Sequence, residues 1–181
     1  MKHEIRILAA LTLALCAAAS FAEPDPSARG RPGGIGIEVS PIMPFAKIYP
    51  IQGTIPLWEM GDLIFGYAYQ NQVVGAEGRA SAHTLLVGYR QYIWKGLFAE
   101  VEFFPAVNDF TSSVDGGHYG GFELVYEIRP GYRWDIPLRG GASLYLLAEI
   151  SVLLGLYEQH PWPNMSAKPF VFPLAWIGLC L

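Results

Sequence analysis

From Leu144 to Leu156 every second residue is apolar: Leu144, Leu146, Ala148, Ile150, Val152, Leu154, Leu156. In an extended strand successive side chains point to opposite faces, whereas a helix repeats every 3.6 residues, so an unbroken period of two commits the segment to a strand with one wholly apolar face. At ~3.3 Å per residue the row covers about 40 Å, which a tilt near 45° reduces to roughly 28 Å, close to the thickness of a bilayer's hydrocarbon core. The positions between them (Tyr145, Leu147, Glu149, Ser151, Leu153) mix charge, hydroxyl and bulk.

Other segments repeat the pattern. In Gly121 to Ile136 one row is Phe122, Leu124, Tyr126, Ile128, Pro130, Tyr132 and Trp134, and the other is Glu123, Val125, Glu127, Arg129, Gly131, Arg133 and Asp135. Leu63, Phe65, Tyr67 and Tyr69 oppose Asp62, Gly66, Ala68 and Gln70; Leu97, Ala99, Val101 and Phe103 oppose Glu100 and Glu102; Ile35, Ile37 and Val39 oppose Gly36, Glu38 and Ser40. Strands are predicted over 34–42, 47–55, 61–71, 82–93, 97–106, 121–135, 142–157 and 168–181. The connections at 94–96 and 136–141 are tight, and those at 72–81, 107–120 and 158–167 are long and polar.

The chain is 52% hydrophobic, yet no run of 18 apolar residues follows its first segment, so its apolarity is spread over alternating strands. That first segment has Lys2 and Arg6, an apolar stretch over 7–19, and small residues Ser20 and Ala22 at the recognition positions, which reads as a secretory signal peptide (1–22) cleaved before Glu23. A flexible Pro- and Gly-rich lead-in (23–33) precedes one domain over 34–181. Removing Lys2, Arg6 and Glu4 from the totals of 12 Lys+Arg and 16 Asp+Glu leaves 10 against 15 with no basic cluster, which excludes nucleic acid as an expected partner. Cys180 is the one cysteine beyond the leader, so no disulfide framework is expected.

Two placements of the rows compete. A soluble lipocalin-like carrier would need a densely polar outer face, and the second rows here, carrying Tyr145, Leu147, Leu153 and Phe98, dress a water-facing surface poorly. They suit a narrow lumen, where small and large residues interlock. The expected fold is therefore all-β, a closed antiparallel up-and-down transmembrane β-barrel of about eight strands. Its lumen is plugged by Glu38, Asp62, Arg90, Glu100, Glu102, Glu123, Glu127, Arg129, Arg133 and Glu149. A turn centred on Lys95 sets Ile93 opposite Leu97 and Arg90 opposite Glu100. Tyr92, Trp94, Tyr132 and Trp134 beside the tight turns, and Trp58 and Trp162 near the opposite strand ends, are expected as interfacial aromatics.

The closing segment FVFPLAWIGLCL places Ile177, Leu179 and Leu181 on one face. With the alternating strands before it, the chain resembles the small eight-stranded outer-membrane β-barrel family, over nearly all of its mature length and by pattern rather than by an exact motif. That family usually ends in an aromatic residue, where this chain has Leu181. The resemblance implies the outer membrane of a Gram-negative bacterium, contact with its lipid and lipopolysaccharide, and insertion by the barrel-assembly machinery. It implies a non-enzymatic structural, envelope-stability or surface-interaction role, with no cofactor and no metal. Some small outer-membrane barrels are lipid A deacylases in which a His and a Ser two residues apart on one strand form the nucleophilic pair; Ser81 and His83 stand here in the reverse order as catalytic candidates, with no third group to orient them. Glu100 and Glu102, two apart and both inward, have the spacing of a hydrolytic pair, but eight strands enclose space that side chains just fill. His118 and His160 fall in expected loops without metal-ligand spacing.

Overall fold

The computed structural model describes residues 34–58, 60–74, 76–159 and 170–181. The predicted leader and lead-in, Trp162 and His160 lie outside them. Eight strands follow one another: β1 (Gly36–Val39), β2 (Ile48–Trp58), β3 (Gly61–Val74), β4 (Gly78–Trp94), β5 (Leu97–Ser112), β6 (His118–Pro137), β7 (Ser143–Gln159) and β8 (Phe170–Cys180). Each pairs antiparallel with the next, and β1 also pairs with β8, closing one ring-like sheet. Two 3₁₀ turns, Met43–Ala46 and Arg139–Gly141, complete the described elements.

Walking from Gly36 through paired residues Thr54, Ile64, Gly88, Glu102, Glu127 and Leu153 arrives at Phe170. Gly36's own partner on β8 is Cys180, ten residues further on. This stagger tilts the strands of an eight-stranded ring by roughly 40°.

Three differences from the sequence reading have physical causes. β1 is four residues long rather than nine, because Pro41 and Pro44 cannot donate to a ladder and the chain turns into Met43–Ala46. Two of the three long loops are shorter than read, β3 running on to Val74 before β4 starts at Gly78 and β5 to Ser112 before β6 starts at His118, because polar stretches keep pairing: Asn71 with Ser81, and Asp109 with Gly120; the third, 158–167, lies largely outside the described residues. Backbone ladders need no apolar side chain. At the β4–β5 turn, with Lys95 left-handed (φ 50°), Trp94 rather than Ile93 faces Leu97. A bulge absorbs Ile93, and Arg90 still pairs with Glu100.

One end of the ring carries Met60 and the turns at 95–96 and 138–142 together with Gly34 and Leu181; it is called here the tight-turn end. The far end carries 40–47, 76–77 and 113–117. The outward rows expose Ile37, Ile51, Phe65, Val87, Phe103 and Ile150 in a continuous belt. From below His83 and Asp109 down to Trp58, Trp94 and Trp134, these rows hold no Asp, Glu, Lys or Arg among the described residues. Inside, Tyr92, Phe98, Tyr145, Leu147, Leu174, Trp176 and Cys180 pack together. Tyr145 fits because its cross-strand partner is Gly178, where a Cβ would meet its ring.

The far-end turn at 113–117 is held by Asp115, which accepts from the Tyr119 hydroxyl and from the Gly117 N–H (2.9 Å). These bonds, the Tyr119 one foremost, hold the fully exposed Asp115 carboxyl at about 2, below its ordinary 3.8. A depressed carboxylate contributes its support above the unfolded value and loses it as pH falls through the folded one. The turn is therefore expected to stay ordered well below pH 3.8, with the Gly117 amide resonance titrating near pH 2. A midpoint close to 3.8 would show that Asp115 does not hold the turn.

Candidate functional site

The parity of each strand decides what enters the ring, and it gathers charge. At the tight-turn end the Arg133 guanidinium grips Asp135 (Nε to Oδ1, 3.0 Å; Nη2 to Oδ1, 2.6 Å), donates to Tyr92 Oη (3.1 Å) and lies over the Tyr145 ring at 3.7 Å. Tyr92 in turn donates to Asp62 (3.3 Å).

Next along the axis, Arg90 binds Glu38 with both Nη atoms (2.7 and 3.0 Å) and Glu100 with Nε (2.5 Å). Glu38 also accepts from Gln52 (2.5 Å) and Tyr145 (2.8 Å). Such bidentate, charge-assisted bonds fix geometry, but desolvation consumes most of their gain, so they specify the packing more than they stabilise it.

Deeper still, Arg129 touches Glu100 and Glu102 through Nη2, lies 3.5 Å from Glu127 and from Glu149, and stacks over Trp176 at 5.4 Å. Trp176 donates to Glu149 (3.1 Å), and Ser151 donates to Glu127. Glu102 is fully buried, and neither of its oxygens accepts a hydrogen bond.

Nine of the ten charged residues assigned to the lumen from sequence are buried in this way; Glu123 is half-buried. The filling is uneven, contrary to the expectation of a lumen that side chains just fill. Towards the far end the interior holds a cavity of about 570 Å³, with Glu127, Arg129 and Trp176 among its lining and Glu123 on its wall. Sequence reasoning missed Gln52, Ser151 and Trp176 as members of the network. Their parity was the available signal: Gln52 is cross-strand from Glu38, and Trp176 alternates with the outward Ile177.

The aromatic assignments change in two places. Tyr92 is buried inside with Asp62 and Arg133 rather than standing in an outer band, since it shares the parity of Arg90. Trp58 ends β2 and so stands at the tight-turn end with the outward-facing Trp94 and Trp134, not at the opposite one. Tyr132 packs against Trp134 with the rings tilted and their centroids 4.8 Å apart, and Tyr157 marks the far end.

Ser81 and His83 share the outer face of β4, but the His83 Nδ1 bonds the Tyr67 hydroxyl (2.6 Å), which leaves it turned to an aromatic neighbour rather than poised on a serine. Glu100 and Glu102 point inward together, yet both are sealed against Arg129, where no substrate could reach them. No group of three or more His, Cys, Asp or Glu with metal-binding geometry occurs among the described residues. No family model, curated protein or solved structure matches this chain.

Proposed function

We propose that the chain is an integral outer-membrane protein whose strands span the bilayer, with a non-enzymatic structural role in the envelope. One observation carries this reading: the polarity of the ring is inverted, with apolar side chains outward and an arginine–carboxylate network within. Soluble monomers rarely expose a contiguous apolar patch beyond a few hundred Å², and a belt running round every strand exceeds that by its nature. Lipid makes the same belt favourable, and ring closure satisfies the backbone groups that lipid cannot. Tryptophans at the tight-turn end suit one interface. The sequence supplies the route, a secretory leader ahead of the domain, and contact with lipid and lipopolysaccharide together with insertion by the barrel-assembly machinery follows from it.

A lipocalin-like carrier would carry its charges on the outside, and a deacylase would need Ser81 within reach of an activated His83, so both are less well supported. Expressed in a Gram-negative host, the protein is expected to sediment with outer membranes, to resist alkaline extraction, and to migrate faster on a cold detergent gel than after boiling. Recovery in the soluble periplasmic fraction after osmotic shock would overturn the proposal.

A further inference from the structure

The cavity above the charged plug has a chemistry of its own. Its walls are largely apolar, from Ala68, Leu86, Phe104, Ala106, Leu153 and Phe172, while Glu127, Arg129 and Glu123 supply its charge. A volume of about 570 Å³ lies within the range that holds one small organic molecule, and apolar walls with a few convergent polar groups are what such sites use.

We infer that this cavity binds a small amphipathic cation, its ammonium or amidinium group seated at Glu127 and its apolar body along the walls. The sign of the charge follows from the neighbours. Arg129, the cation at the cavity, is already shared among Glu100, Glu102, Glu127 and Glu149. Arg90 is engaged by Glu38 and Glu100, and Arg133 by Asp135. In the inner cluster five carboxylates, those of Glu38, Glu100, Glu102, Glu127 and Glu149, therefore surround the two guanidiniums of Arg90 and Arg129. A ligand carboxylate would join the side already in excess, whereas a cation supplies the charge the cluster lacks. Glu127 is itself buried, and there a charged contact counts for more than at a surface. None of this depends on what surrounds the ring, so the inference stands apart from the membrane reading.

The test uses protein refolded in non-ionic detergent, its fold checked by cold-gel mobility, and three probes of one shape: 4-phenylbutylammonium, 4-phenylbutanol and 4-phenylbutanoate. Calorimetry is expected to show saturable 1:1 binding of the ammonium, at least tenfold tighter than the carboxylate. Glu127→Gln removes a charged acceptor and is expected to weaken the ammonium roughly tenfold while sparing the alcohol. Ala106→Phe, which fills the cavity, is expected to abolish binding of all three. The comparison of probes on the unaltered protein needs no variant to fold. Equal or tighter binding of the carboxylate would assign the cavity to an anion at Arg129 and overturn the inference. So would the absence of saturable ammonium binding, or unchanged binding by folded Ala106→Phe.

Discussion

Arg129→Met is expected to destabilise the folded ring by about 3 to 5 kcal/mol, because breaking a buried ion network by removing one partner leaves the others uncompensated. Here the loss is concentrated: Glu100, Glu102, Glu127 and Glu149 all converge on this one guanidinium, and methionine replaces its length but none of its charge. Glu102→Gln should behave differently. It removes one charge from a cluster with carboxylates to spare and leaves Arg129 with Glu100, Glu127 and Glu149, so its expected effect is neutral or stabilising. Urea unfolding of both variants in the same detergent gives the comparison. A loss for Arg129→Met below about 1 kcal/mol, the scale of an ordinary exposed ion pair, would mean that the network is hydrated rather than sealed.

The second large effect lies on the outer face. Ile150 is 54% exposed in the middle of the apolar row of β7, and its neighbour Glu149 is 4% exposed. In a bilayer Ile150→Arg sets a cation near the midplane, at an expected cost of roughly 2 to 4 kcal/mol, measured by unfolding from liposomes. If the ring stood in water the same arginine would sit on a solvated surface and cost little. Cysteine labelling separates the faces further. After Cys180→Ser, a cysteine at 150 is expected to react poorly with a water-soluble maleimide in membranes, and a fluorophore placed there to be quenched by lipid-borne quenchers. A cysteine at 149 should show much weaker lipid quenching. Exchange of these behaviours, or no lipid contact at either position, would end the membrane-spanning proposal.

How much of this was readable from sequence depends on the kind of information each feature needs. Period-two alternation is local, so most strands and the inward charges from Glu38 to Glu149 could be read off directly, whereas the second strand, broken by Pro50 and Gly53, shows no clear row and its inward Gln52 was missed. The pairing of Arg90 with Glu100 was read correctly although the turn was not, because the bulge at Ile93 offsets the one-residue difference at Trp94. Tyr92 went astray when residue type was allowed to outrank parity: an aromatic near a turn looks interfacial, yet position 92 belongs to the row of Arg90. Trp58 was misplaced because β2 was taken to stop at Ile55, three residues short. The cavity could not be read at all. It exists because Ala68, Thr84 and Ala106 come level across neighbouring strands, and that depends on the pairing of each strand with the next.

The brevity of β1 sets where the ring is weakest. β2 and β8 both run on towards the far end after β1 has stopped at Val39, and over that stretch the described residues show no backbone ladder from either strand to β1. The Ser40 hydroxyl on the Ala175 carbonyl (2.9 Å) and the side chains around Met43–Ala46 fill the gap, and Pro50 and Pro173 on the flanking strands have no N–H to offer. Parting any other pair of strands breaks a run of peptide hydrogen bonds, whereas parting these breaks side-chain packing, so local opening is least costly there. Ile48, Pro50 and Phe172 beside this gap also line the cavity. The seam beside β1 thus combines the fewest backbone bonds in the ring with a share of the cavity's wall.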